Sequence, residues 1–124
     1  MMDVQGIGID LVEIHRIREM LERHGQRFKE RTFTAGEMAY CDACADPAMN
    51  YAARFAAKEA VAKALGTGIW AEGVIWTDIE VVRAENGKPS ILLHGAAKIH
   101  AGEATCLVSL THTKDLAMAQ VLLA

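Results

Sequence analysis

The sequence predicts an α+β fold in which a mostly antiparallel sheet packs on a long alanine-rich helix. Three observations carry this. A single glycine-containing, β-branched run, Val4 to Ile9, comes first. A long helical stretch follows, ending in an alanine-dense segment from about Asn50 to Leu65. After it the pattern changes to short runs of strand-forming residues separated by turn signals. One strand, then helices, then strands is the order of an α+β domain with antiparallel pairing.

Each element has its own signal. A helix is expected soon after Asp10, with Ile14, Ile17 and Leu21 at i, i+3 and i+7 on its inner face. Gly25 ends or loosens it. Thr34-Ala-Gly-Glu37 has the spacing of a capping box, so a short helix should run from there through Tyr40. Asp46-Pro47 marks a break. The long helix to Leu65 carries a narrow apolar stripe, Ala53, Ala57, Ala60, Val61 and Ala64, small enough for a sheet to approach closely. Gly66-Thr67-Gly68 stops it. Strands are expected at Thr77–Arg83 and Ser90–His94, joined by the hairpin signal Asn86-Gly87. A short helix follows within Gly95–Glu103. Two last strands, Thr105–Thr111 and Leu116–Leu123, are joined across His112–Asp115.

The chain has 124 residues, 52% apolar and 23% charged, which suits one globular domain, 1–124. No apolar run reaches the roughly 20 residues that span a bilayer. Met1 to Gln5 lacks the basic-then-apolar layout of a signal peptide. A cytoplasmic protein is therefore expected, with no membrane partner. Its three cysteines are expected to be reduced. Cys41 and Cys44 have CxxC spacing, but no second ligand pair accompanies them, so zinc or redox chemistry is the weaker reading.

The net charge of −3 is unevenly spread. Between His15 and Arg31 six basic residues face three acidic ones, a segment of +3 in a remainder of −6. Arg16, Met20, Arg23 and Arg27 fall within about 60° of one another on a helix, away from the Ile/Leu face. A basic stripe on an acidic protein indicates docking of one anionic partner rather than nucleic-acid binding.

Several residues could carry chemistry. Asp10 fits a helix N-cap, which spacing alone favours, or a magnesium ligand at a strand end. Glu59 fits an exposed i,i+4 pair with Lys63, or a half-buried carboxylate that needs a cation. Arg54 and Lys58 form a like-charged i,i+4 pair. Lys63 with Gly66-Thr67-Gly68 fits either a helix C-cap or a phosphate cradle built from free N–H groups. His112, read as a turn residue beside Thr111, Thr113 and Lys114, could be solvated or could meet a phosphate.

Taken together the segments resemble the holo-acyl-carrier-protein synthases. Gly6-Ile-Gly-Ile-Asp10-Leu-Val-Glu-Ile-His-Arg16-Ile is similar to their opening signature. Arg54-Phe-Ala-Ala-Lys58-Glu59-Ala-Val-Ala-Lys63-Ala-Leu-Gly66-Thr-Gly68 is similar to their central one. Phe33-Thr34 with Glu37 and Tyr40-Cys41, then Asn86-Gly-Lys-Pro89, then Val108-Ser-Leu-Thr-His112-Thr-Lys fit in order, across nearly the whole chain. The resemblance implies the 4′-phosphopantetheinyl transferase fold. It also implies a magnesium-dependent transfer of phosphopantetheine from coenzyme A to a serine of apo acyl carrier protein, in support of fatty acid biosynthesis. By the same resemblance Asp10 and Glu59 hold magnesium and Glu59 is the candidate base. Lys63, Gly66, Thr67, Gly68 and His112 lie along coenzyme A. Arg16, Met20, Arg23 and Arg27 dock the carrier protein, and the molecule is a homotrimer with sites between subunits. Leu116 departs from the family, where many members have an aromatic residue. The competing reading from another class is a non-catalytic docking module for an acidic protein, using the same basic stripe.

Overall fold

Gly6–Glu13 forms strand β1, starting two residues later and ending four residues later than the sequence suggests, and Ile14–Thr32 forms helix α1. The structure is a computed structural model that describes residues 3–124; Met1 and Met2, part of the N-terminal stretch read above, lie outside the described residues. Asp10 is therefore inside a strand and caps nothing. The cap position of α1 is Glu13, which makes no side-chain cap bond. The reason is tertiary. β1 pairs antiparallel with the last strand, β5 (Leu116–Leu123), without interruption from Gly6↔Leu123 to Glu13↔Leu116. That ladder holds residues 10–13 extended.

Gly25 interrupts α1 at φ 45°, ψ −124°, a conformation open to glycine, and bends it. Beyond the bend Phe28 meets Phe33 edge-on at 5.7 Å, and Phe33 packs on Tyr51 at 4.7 Å. Helix α2 (Ala35–Asp42) begins at the expected capping box: Thr34 Oγ1 accepts from the Glu37 N–H, and Glu37 Oε1 accepts from the Thr34 N–H. Helix α3 (Pro47–Leu65) starts at its proline, which is tolerated in the first turn, and so begins before Asn50. It ends at Gly66, in the left-handed region at φ 80°.

α3 is buried over most of its circumference, not along one stripe. It lies across the three-stranded sheet β1-β5-β4, where β4 is Cys106–His112. The contact with β1 is backbone to backbone. A Cβ at Gly8 would come within 1.8 Å of the Ala60 carbonyl oxygen, and one at Gly6 within 1.9 Å of that of Ala64. Glycine on the strand and alanine on the helix are one device. The remaining strands, β2 (Ile79–Arg83) and β3 (Pro89–Leu93), form a separate hairpin closed around Asn86-Gly87, so the strands make two antiparallel sheets rather than one. Helix α4 (Gly95–Ala101) follows. The other face of the three-stranded sheet is open: Ile7, Ile9 and Leu11 on β1 are each more than half exposed, and Leu107 on β4 nearly so. Leu116 begins β5 opposite Glu13 on that open face.

Candidate active site

β1 carries Gly6, Gly8 and Asp10 on the side facing α3. Where the glycines end, the next inward position is a carboxylate. One oxygen of Asp10, Oδ1, accepts a bond from Lys63 Nζ at 3.1 Å, and the same ammonium donates to the Ile9 carbonyl at 3.0 Å. Lys63 thus crosses from α3 to β1 rather than serving as the surface partner of Glu59. Glu59 lies one turn before Lys63 and is half-buried. Burial, and then the negative charge of Asp10, holds its carboxyl above the ordinary range, against the opposing charges of Lys63 and Arg16. Asp10, Glu59 and Lys63 are therefore one electrostatic group, and Arg16 at the start of the basic stripe reaches it.

A half-buried carboxylate held beside a second carboxylate makes a place for a cation. Among the described residues no cluster of three or more His, Cys, Asp or Glu side chains occurs. Two protein oxygens suit magnesium, which keeps waters and completes its shell with substrate phosphate. The donor set fits that ion and lacks the nitrogen and sulfur that zinc prefers.

The turn after α3 corrects one expectation. The N–H of Gly66 donates to Lys63, and those of Thr67 and Gly68 both donate to the Ala62 carbonyl, the latter two at 3.2 Å. All three are occupied in capping the helix, so Gly66-Thr67-Gly68 offers no set of free N–H groups to a phosphate.

His112 is the last residue of β4, paired with Ala117, and not a turn residue. It lines a cleft of about 200 Å³ with Asn50, Arg54, Arg83 and Thr111. Arg54 was missed as a site residue, the sequence giving it only a like-charged i,i+4 pair with Lys58. It is buried, its guanidinium lies 4.3 Å from the centre of the Tyr40 ring, and its Nε has no hydrogen-bond partner among the described residues. The signal available in the sequence was two cations spaced i,i+4 in an alanine-rich helix that has little solvent-facing surface. Arg54 and Glu59 point about 140° apart around α3. His112 and Asp10 share the inner face of the sheet but sit on strands separated by β5. The carboxylate group and the arginine–histidine cleft therefore occupy opposite flanks of α3.

On α1, Arg16, Arg23 and Arg27 are exposed and Met20 is partly buried. The bend at Gly25 divides them. Met20 and Arg27 line one cleft with His24, Phe28 and Arg31, while Arg16 and Arg23 lie on the first segment. Cys41 is fully buried and its thiol is pushed up to about 12, chiefly by burial. A thiol so placed is a poor nucleophile and metal ligand, which counts against the redox and zinc readings.

The chain is similar to known proteins over nearly its whole length. Residues 6–121 match the 4′-phosphopantetheinyl transferase superfamily. A holo-[acyl-carrier-protein] synthase of Solibacter usitatus is 48% identical over 123 residues, covering 97% of this chain and 98% of that protein. A Bacillus anthracis holo-(acyl-carrier-protein) synthase, solved in complex with CoA (3′,5′-ADP), superposes with a TM-score of 0.82 at 38% identity. That match covers 97% of this chain and 96% of the other. The Helicobacter pylori holo-[acyl-carrier-protein] synthase in complex with coenzyme A gives a TM-score of 0.85 at 30% identity, covering 95% and 99%.

Proposed function

The chain belongs to the 4′-phosphopantetheinyl transferase superfamily, and from that premise we infer that it is a holo-[acyl-carrier-protein] synthase, acting as one domain over residues 1–124. It transfers 4′-phosphopantetheine from coenzyme A to a serine of apo acyl carrier protein. The observation that carries this at the site is the group Asp10–Lys63–Glu59, two carboxylates and an ammonium brought together from β1 and α3.

In the reaction the serine oxygen forms a bond to the phosphorus that bears pantetheine. The diphosphate bridge breaks, and its electron pair leaves on adenosine 3′,5′-bisphosphate. Lys63, exposed at its ammonium end, stands where it can exchange Asp10 for a substrate phosphate and neutralise charge that builds on the leaving group. Glu59 is the proton acceptor for the serine; its raised proton affinity suits that task. Asp10 and Glu59 would hold magnesium, which when bound polarises the phosphoryl group and screens its charge. Arg54, with an unpartnered buried Nε, and His112 form a second anion-binding feature for the nucleotide's phosphates. Gly66, Thr67 and Gly68 set the end of α3 beside the site and bind through no free N–H.

The molecule works as a homotrimer. Two features support this: the exposed Ile7, Ile9, Leu11 and Leu107 on one sheet face, and the placement of the carboxylates and His112 on opposite flanks of α3. A site that uses both flanks on one coenzyme A is completed by a neighbouring copy. The enzyme acts in the cytoplasm in fatty acid biosynthesis. No helix among the described residues is long and apolar enough to cross a membrane.

Carrier protein docks on α1 through Arg16, Met20, Arg23 and Arg27. Arg16→Ala should raise the KM for apo carrier protein several-fold at low salt and by less at high salt, because screening removes what the arginine contributes. Steady-state rates at two ionic strengths check this; a KM increase independent of salt would remove Arg16 from the docking face. The docking-module alternative shares that face and differs in one respect. Calorimetric titration with coenzyme A should give binding that strengthens with magnesium, whereas a docking module without a transfer site gives none.

A further inference from the structure

Lys58 precedes Glu59 on α3 and points into the protein. Its ammonium is fully buried, and its three N–H groups meet three acceptors: Glu37 Oε1 at 2.7 Å, the Trp76 carbonyl at 3.0 Å and the Ile79 carbonyl. Glu37 is equally buried. Its Oε1 also accepts from the Thr34 N–H at 2.9 Å, and its Oε2 accepts from the Val81 N–H at 2.8 Å. The pair joins the start of α2, the middle of α3, the turn at residues 76–78 and β2.

A buried ion pair of this kind is weak evidence for stability, because apolar side chains of similar volume often do as well or better. What it supplies is a single geometry, since only one arrangement satisfies every donor and acceptor. That geometry is needed at this point of the helix. On its other side α3 meets Gly6 and Gly8 through the Ala60 and Ala64 backbone, a smooth surface with no side chain to interlock. Such a contact fixes how close the helix lies, and on that side the rotation rests on the half-exposed Lys63, which crosses to Ile9 and Asp10. Lys58 fixes the rotation from the buried side, one residue from Glu59. It also grips Trp76 and Ile79, at the far end of the connection that leaves α3 at Gly66, so both ends of that connection are tied to the helix.

We propose that Lys58 and Glu37 are a positioning pair for the transfer reaction, holding α3 in the rotation that turns Glu59 toward Asp10. It rests on the transferase activity inferred above. The double variant Glu37→Leu/Lys58→Met removes both charges together, so neither is left buried and unpaired, but it takes a partner from the Thr34 and Val81 N–H groups and from the Trp76 and Ile79 carbonyls. The expected result is a folded protein with a lowered thermal transition, because those backbone groups lose their bonds, and an unchanged KM for carrier protein, because α1 is untouched. Its kcat falls at least about tenfold, a misplacement of roughly 1 Å being enough for losses on the order of 10²-fold. A folded double variant with wild-type kcat overturns the proposal and makes the pair purely structural. Should the double variant fail to fold, Glu37→Gln takes its place. It keeps one acceptor for Lys58 and loses the tether to Val81; a lowered kcat at constant carrier KM supports the proposal, and an unchanged kcat overturns it. The wild type runs alongside: no transfer by the wild type strikes the transferase reading itself, whereas active wild type with an equally active variant strikes only the positioning pair.

Discussion

Glu59→Gln should leave the fold intact and lower transfer by about two to four orders of magnitude, the range typical of losing a general base or a comparable electrostatic contribution. The fold survives because the amide matches the carboxylate in shape and Glu59 is only half-buried. Removing its charge also removes the repulsion with Asp10 that helps to raise its proton affinity. The thermal transition should therefore stay where it is or rise slightly. Single-turnover transfer rates and a melting curve on the same preparation check both halves. Near-wild-type transfer would show that neither the proton nor the cation depends on this carboxylate.

Gly8→Ala should be the most damaging single-methyl change in the molecule. The new Cβ would sit 1.8 Å from the Ala60 carbonyl oxygen, 2.8 Å from its carbon and 3.0 Å from the Ala64 nitrogen, all backbone atoms of a buried helix. No side chain can turn aside to make room, so α3 must move off β1. Overpacking of this kind typically costs about 1–3 kcal/mol, and a backbone clash falls at or above the upper end. The displacement acts on function as well, since Asp10 belongs to β1 and Glu59 and Lys63 belong to α3. Chemical denaturation should show a midpoint shifted well down, and transfer should be depressed even where the variant is fully folded. A variant with wild-type stability would mean that the strand and helix do not touch in this way.

Much of this architecture was legible from local chemistry. The capping box at Thr34 and Glu37, the glycine stop at Gly66 and the Asn86-Gly87 hairpin each depend on a few neighbouring residues, and each formed where its signal stood. Features set by distant partners were not legible. The end of β1 is fixed by β5, more than a hundred residues away, so the apolar spacing after Asp10 wrongly suggested an early helix. His112 was read as a turn residue because the polar run His112–Asp115 hid where the hairpin turns; pairing with Ala117 carries β4 through His112.

The residues of the site divide along the same line. Asp10, Glu59 and Lys63 could be named in advance, but spacing alone left each with an ordinary structural alternative. Contact between elements narrows them: Asp10 lies inside β1 and caps no helix, Lys63 crosses to Asp10, and Asp10 bears on Glu59. At Gly66-Thr67-Gly68 local spacing offered a helix C-cap or a phosphate cradle, and the C-cap is the one that forms, its N–H groups taken by the helix they end. Lys58 and Arg54 looked like one like-charged i,i+4 pair. Burial gave them separate roles, Lys58 neutralised by Glu37 and Arg54 left with an unpartnered Nε beside His112.

In the function proposed above this chain transfers phosphopantetheine, with Asp10 and Glu59 holding the cation the reaction needs. The most direct test is the intact mass of a folded apo acyl carrier protein after incubation with the protein, coenzyme A and magnesium, beside a chelator control. The expected result is a gain of one phosphopantetheine that disappears with the chelator. No gain across several apo carrier proteins would contradict the transferase and return Asp10 and Glu59 to structural roles; a gain that survives chelation would contradict the cation site.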